Sequence, residues 1–76
     1  MQQVKDPTLI KRIGERIRAL RKKHQLTQLE LAVKMDNHAE QIGRIERGEL
    51  NVSICTLHKI AQCFQLEIHE LLRLED

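Results

Sequence analysis

The chain has almost no aromatic residues and no long apolar run. Its 76 residues include no tryptophan, no tyrosine and a single phenylalanine, Phe64. Proteins that bind unpaired bases usually stack them on aromatic side chains, so that class is disfavoured. No apolar run approaches the roughly 20 residues that cross a bilayer, and none resembles the core of a signal peptide. We therefore expect a cytoplasmic protein that has no contact with membranes.

The residue types of catalytic and metal sites are equally scarce. Ser53 is the only serine, and there is no glycine-rich phosphate loop. Cys55 and Cys63 would lie about 12 Å apart along a helix, too far for a disulfide. Together with His58 they lack the paired short spacings of structural zinc sites. We expect no catalytic residues, no metal or other cofactor and no small-molecule ligand.

The charge is unevenly distributed along the chain, although the formal net charge is only +2. Residues 1–25 hold eight basic and two acidic side chains, whereas the remainder holds five and nine. A basic end of this kind suits attraction to phosphate, but it is also the composition of an ordinary solvated helix. Charge alone does not decide between these two interpretations.

Caps and apolar spacings predict an all-α fold. Asp6 and Pro7 are typical of a helix start, and Thr27 with Glu30 forms the pattern of a capping box. Apolar residues recur at spacings of three and four, and no stretch alternates with period two. The sequence therefore predicts a single domain over residues 1–76 with a core of about 8–73, built from helices at about 8–24, 28–35, 38–47, 53–64 and 67–73.

The second and third of these helices, residues 28–47, are predicted to form a helix-turn-helix. Ile42 and Ile45 define the inward stripe of the third helix, so Glu40, Arg44 and Arg47 lie nearly opposite. In this motif such a face enters the major groove of duplex DNA, where Arg44 suits guanine and Glu40 suits cytosine. The alternative is a Glu40–Arg44 surface pair that adds about 0.2–0.5 kcal/mol to helix stability.

Several segments occur in the order and spacing of one known family. They are residues 13–21, Leu26-Thr27-Gln28 with Glu30-Leu31-Ala32, Ile42 with residues 44–48, Thr56-Leu57, Lys59-Ile60-Ala61 and Glu70-Leu71-Leu72. Over about residues 12–72 the chain resembles the XRE-like regulators of the Cro and lambda-repressor type. The resemblance implies a compact five-helix lambda-repressor-like domain that acts as a transcriptional regulator, such as a repressor. It also implies that a homodimer binds a palindromic operator in double-stranded DNA.

The resemblance and the helix geometry together supply the candidate site residues. The expected base-reading residues are Ala39, Glu40, Gln41, Gly43 and Arg44. The expected phosphate-contacting residues are Lys22, Lys23, Thr27, Gln28, Arg47 and Asn51. Arg21 and Glu46 match an ion pair that ties the first helix to the third. The dimer interface is expected on helices four and five, through Ile54, Leu66, Ile68, Leu71, Leu72 and Leu74, with recognition helices about 34 Å apart.

Two departures from the family pattern keep a second hypothesis open. The turn carries Asp36 and Asn37 where glycine and an apolar residue are usual, and Gly43 interrupts the recognition helix. These changes favour a protein-interaction module that keeps the fold but reads DNA weakly or not at all, such as the partner-binding domain of an antitoxin. The sequence does not identify the operator, the regulated genes, the sign of regulation or any protein partner. It also does not separate phage repressors, restriction–modification controllers and antitoxins.

Overall fold

A computed structural model describes residues 4–74, and within this range the chain forms five α-helices and no β-strand. The helices are α1 (Pro7–Lys23), α2 (Gln28–Lys34), α3 (Ala39–Glu46), α4 (Ile54–Cys63) and α5 (Ile68–Leu71). The predicted all-α, five-helix class is confirmed. The outermost residues of the expected domain, 1–3 and 75–76, lie outside the described range. In the described residues no helix has the length and apolar character needed to cross a membrane.

At the starts of α1, α2 and α4 the side chain of the N-cap residue accepts a hydrogen bond from a backbone N–H of the first turn. Asp6 accepts a 3.0 Å hydrogen bond from the Leu9 N–H, and Ser53 Oγ accepts one of 3.1 Å from the Thr56 N–H. At α2 the Glu30 N–H donates to Thr27 Oγ1, and the Thr27 N–H donates to a Glu30 carboxylate oxygen. These short-range bonds explain why the predicted helix starts agree closely with the observed ones.

The last helix is shorter than predicted and spans four residues rather than about seven. Its end is held by an arginine of α1. Arg16 donates from Nε to the Leu71 carbonyl at 3.1 Å and from Nη2 to the Glu70 carbonyl at 2.9 Å. Arg12 Nη2 donates to the Leu74 carbonyl at 3.1 Å. Side-chain donors from α1 thus satisfy carbonyl groups that a longer helix would have paired internally.

The turn between α2 and α3 depends on Asp36, whose φ is 54°. This left-handed conformation favours glycine, and aspartate is among the few other residues that adopt it readily. The Asn37 N–H donates to the Ala32 carbonyl at 2.8 Å, and the Asn37 side chain accepts from the His38 N–H at 2.7 Å. His38, rather than Asn37, is the N-cap of α3, and its side chain makes no capping hydrogen bond. The unusual Asp-Asn sequence is therefore compatible with the tight turn.

One apolar core joins all five helices. Its fully buried large side chains are Ile17, Leu31, Ile42, Ile60, Phe64 and Leu71. The third helix packs on both α1 and α2, and α5 packs on α4. Gly14 allows the close approach of α1 to α3, since a Cβ at this position would lie 2.7 Å from the Glu46 carbonyl oxygen and closer still to that of Ile45. The packing fixes α3 at the surface with one long edge exposed.

Candidate nucleic-acid interface

The exposed edge of α3 carries two charged side chains. Ile42 and Ile45 are almost fully buried, whereas Glu40 and Arg44 are exposed, and the Arg44 side chain retains 44% of its accessible surface. Ala39 and Gln41 are half-buried near the start of the helix. The helix therefore presents a polar edge that projects away from the core, which is the arrangement needed to enter a major groove.

Gly43, one of the predicted base-reading residues, differs in exposure from Glu40 and Arg44. Gly43 is buried, and the Gln28 and Arg47 side chains cover it. A Cβ at this position would lie 3.0 Å from Arg47 Nη1 and 3.4 Å from Gln28 Oε1. Gly43 is thus covered in the unbound protein, and its contact with a base stays a prediction. A Cβ there would crowd only the end of the Arg47 side chain and would make ordinary contact with Gln28.

A buried hydrogen-bond network lies beneath this edge. Arg21 on α1 donates from Nε to Glu46 Oε2 at 2.6 Å and from Nη2 to Glu46 Oε1 at 3.1 Å, and its Nη1 donates to the Leu26 carbonyl at 2.7 Å. The bonds to Glu46 raise the pKa of the Arg21 guanidinium above its ordinary value, although burial opposes the shift. Such a bidentate pair fixes the angle between α1 and α3.

Gln28 extends that network toward the surface. Its Nε2 donates to Glu46 Oε1 at 3.2 Å, so the amide at the start of α2 is tied to the end of α3. Sequence reasoning assigned Gln28 to phosphate contact and did not foresee this bond. No local sequence pattern marks this bond, because it depends on how α2 crosses α3. In the unbound protein Gln28 is thus held in one position at the edge of the interface.

A second group of charges lies at the same C-terminal end of α3, on its exposed side. Arg47 Nε donates to Glu49 Oε2 at 2.5 Å, and Arg44 Nε lies 3.6 Å from Glu49 Oε1. The hydrogen bond from Arg47 lowers the pKa of the Glu49 carboxyl group, and the same bond raises the pKa of Arg47. We call these three residues the arginine–glutamate cluster. Sequence reasoning did not identify this cluster.

The four remaining candidates for phosphate contact are exposed, and no side-chain hydrogen bond or ion pair joins one of them to another. Lys22 and Lys23 end α1, Thr27 precedes α2 and Asn51 lies in the loop before α4. Thr27 is already engaged as the cap of α2. Their contact with phosphate stays a prediction.

The family profile described as Helix-turn-helix matches residues 17–71, which is most of the chain and includes the whole α2–turn–α3 unit. The chain belongs to the XRE-type helix-turn-helix family. This is a family of DNA-binding transcriptional regulators rather than of enzymes, and the expected resemblance is confirmed.

Two curated relatives of this helix-turn-helix chain lie in a phage and in an archaeon. The immunity repressor protein of Bacillus phage phi105 is 36% identical over 56 residues, which are 74% of this chain and 39% of the repressor. The chain thus spans less than half the length of that relative. An uncharacterized HTH-type transcriptional regulator of Archaeoglobus fulgidus is 39% identical over 61 residues, covering 80% of this chain and 87% of the regulator.

Solved structures support the same helix-turn-helix fold. The restriction–modification controller protein C.AhdI from Aeromonas hydrophila has a TM-score of 0.78 and 33% identity, and the match covers 87% of this chain and 98% of C.AhdI. The clp gene regulator ClgR from Corynebacterium glutamicum has a TM-score of 0.82 over 92% of this chain and 90% of the other. At 23% identity that second likeness concerns the fold alone.

The residues of the expected dimer interface differ in how far they are buried within this helix-turn-helix domain. Leu71 is fully buried in its own chain, where it fills the core next to α4, so it has no surface for a second copy. Leu66 and Ile68 also pack on the core, though only partly, and Leu74 is half-buried. Ile54 and Leu72 are exposed at 73% and 37%. Helix periodicity marks a residue as apolar without saying whether it faces the core or a partner.

Proposed function

We propose that this protein is a sequence-specific transcriptional regulator that inserts α3 into the major groove of double-stranded DNA. The observation that carries the proposal is the exposure of Glu40 and Arg44 on a helix whose opposite side is buried. A guanidinium on such an edge matches the two acceptors of guanine, O6 and N7. A carboxylate four residues earlier matches the amino group of cytosine.

The fixed side chains beneath the exposed edge of α3 favour a role for this edge in base recognition over a purely structural role. Arg21, Glu46 and Gln28 form a continuous hydrogen-bonded path from α1 through α3 to α2, and no buried side-chain nitrogen or oxygen in residues 4–74 lacks a partner. The base-facing edge therefore rests on a fixed frame. Gln28, at the first turn of α2, is in a position to donate to a backbone phosphate and so to set the register.

The proposal includes a homodimer on a palindromic operator. Ile54 and Leu72 are the exposed apolar residues on or next to α4 and α5, and the half-buried Leu66, Ile68 and Leu74 complete the set. Two copies of one recognition helix, related by a two-fold axis, match inverted half-sites about one helical turn apart. The phi105 relative's name, immunity repressor protein, favours repression as the direction of regulation.

The test is selection of duplexes from a random pool, followed by fluorescence anisotropy at low and high salt. We expect one preferred sequence, bound at least about tenfold more weakly when salt rises from about 50 to about 200 mM, because phosphate contacts release counterions. Selection of no sequence, and no binding at the lower salt, would instead favour the protein-interaction module.

A further inference from the structure

The DNA-facing surface contains an acid that already occupies two of its basic side chains. Glu49 lies just past the end of α3, where Gly48 at φ 73° turns the chain and the Glu49 N–H donates to the Arg44 carbonyl at 2.9 Å. Its carboxylate is consequently directed back along α3. One oxygen accepts from Arg47 and the other lies near Arg44.

The two contacts differ in closeness. Arg47 is 2.5 Å from Glu49 Oε2, which is a charge-assisted hydrogen bond, whereas Arg44 is 3.6 Å from Oε1, which is a looser ion pair. All three side chains keep between 44% and 59% of their surface exposed. The cluster is thus open to an approaching polyanion, and a phosphate must compete with the carboxylate for the same two guanidinium groups.

We propose that Glu49 is a specificity-determining residue, which suppresses sequence-independent binding by holding Arg47 firmly and Arg44 loosely. The proposal rests on the proposed function. On arbitrary DNA the only new partners for the two arginines are phosphates. To reach them, both arginines must leave the Glu49 carboxylate, which is then unpaired beside a phosphate. On the preferred sequence Arg44 contacts a base and gives up only its looser bond, while Arg47 stays paired with Glu49 instead of making the phosphate contact predicted for it. The penalty is therefore larger on arbitrary DNA.

The substitution Glu49→Gln removes the charge while keeping the shape, and Glu15→Gln is the matched control. Glu15 is an exposed glutamate on α1, beside Arg12, Arg16 and Leu74, so its loss changes net charge equally but leaves the cluster intact. Binding is measured by anisotropy on two labelled duplexes, a random-sequence pool and the duplex selected by the wild-type protein.

For Glu49→Gln we expect affinity for the random pool to rise about three- to tenfold at about 0.1 M salt, with a salt slope steeper by about 0.9 for each additional phosphate that the protein neutralises. Affinity for the selected duplex should rise less, so discrimination falls. In an Arg47→Gln background the same change should steepen the salt slope clearly less, because only the loosely held Arg44 guanidinium remains to be released.

The proposal would be overturned if Glu49→Gln raised affinity for the random pool no more than Glu15→Gln does. It would also be overturned if the full rise in affinity persisted in the Arg47→Gln background. An equal rise on both duplexes would overturn the claim that the cluster favours the preferred sequence. If the wild-type protein selects no preferred duplex, that result counts against the proposed function. The effect of Glu49 on affinity for the random pool can still be measured, because this measurement needs no preferred sequence.

Discussion

At the scale of single residues, the α3 edge separates side chains that determine the fold from those available to DNA. Glu46 and Arg44 are only two positions apart, yet the Glu46 side chain is 2% exposed and the Arg44 side chain 44%. The helical rotation of about 100° per residue produces this difference. Substitutions at the two positions should therefore have opposite profiles, one affecting stability and the other affecting recognition.

Arg44→Ala should weaken binding to the selected duplex by about 1–3 kcal/mol and relax the preference at one base pair in each half-site. The fold should be unaffected, since an exposed ion pair adds little stability. Arg73→Ala, which removes an exposed arginine just after α5, is the control for net charge. Repeating the selection with the variant measures the effect, and an unchanged preference would exclude Arg44 from base contact.

Glu46→Gln should destabilise the protein by about 3–5 kcal/mol, because it leaves the buried Arg21 guanidinium without its charged partner. Urea denaturation monitored by circular dichroism gives the free energy of unfolding. Glu40→Gln on the exposed edge of the same helix is the matched control and should change it by less than about 0.5 kcal/mol. Equal effects of the two substitutions would mean that the Arg21–Glu46 pair contributes nothing special.

At the scale of the helices, the α1–α3 contact depends on one glycine. Gly14→Ala should destabilise the protein by about 1–3 kcal/mol or more, because the new Cβ meets carbonyl oxygens of residues 45 and 46, and backbone atoms cannot rotate away. Gly43→Ala is the comparison within another helix. Its Cβ meets only the ends of flexible side chains, so the increase in helix propensity of about 1 kcal/mol is largely kept. Thermal melts that rank the two variants in the reverse order would contradict this account of the packing.

The capping box of α2 should make that helix sensitive to acid. The hydrogen bond from the Thr27 N–H holds the pKa of Glu30 below its ordinary value of 4.5. A lowered folded-state pKa means that the stabilisation is complete above the unfolded value and is lost as the pH falls through the folded one. Hydrogen-exchange protection at the first turn of α2, corrected for the intrinsic exchange rate at each pH, should therefore fall below about pH 4.5, and Glu30→Gln should remove that fall. Protection that falls equally in the variant would assign the effect to another group.

Local signals explain why most helix bounds could be predicted from the sequence. The caps at Asp6, Thr27 and Ser53 act within three residues, so sequence spacing alone reveals them. The end of α5 could not be predicted, because it depends on Arg16, which lies 54 and 55 positions away from its two acceptors. Contacts across that distance leave no trace in local periodicity.

The candidate site was predictable where it follows helical rotation and unpredictable where it follows side-chain packing. The exposure of Glu40 and Arg44 follows from the position of Ile42 and Ile45 on one cylinder. The burial of Gly43 under Gln28 depends instead on how α2 crosses α3. The Glu49 contacts depend on the left-handed turn at Gly48, which sets the direction of the residues that follow.

At the scale of the whole molecule, the proposed homodimer predicts a change in mass that depends on the exposed apolar residues. Analytical ultracentrifugation should give a dimer for the wild-type chain and a monomer for Ile54→Asp. Val33→Asp, at an equally exposed position on α2, should stay dimeric, since 70% exposure there matches the 73% of Ile54. A monomeric wild type at high concentration, or equal dissociation of both variants, would contradict an interface on α4 and α5.

The central claim is that the Arg44 edge of α3 enters the major groove, and methylation of guanine N7 in the selected duplex tests it most directly. N7 lies in the major groove, whereas adenine N3 lies in the minor groove, and dimethyl sulfate reports both atoms. We predict that the protein protects guanine N7 in two patches about one helical turn apart, and that Arg44→Ala abolishes protection at one guanine in each patch. Protection confined to adenine N3, or an N7 pattern that Arg44→Ala leaves unchanged, would contradict the account.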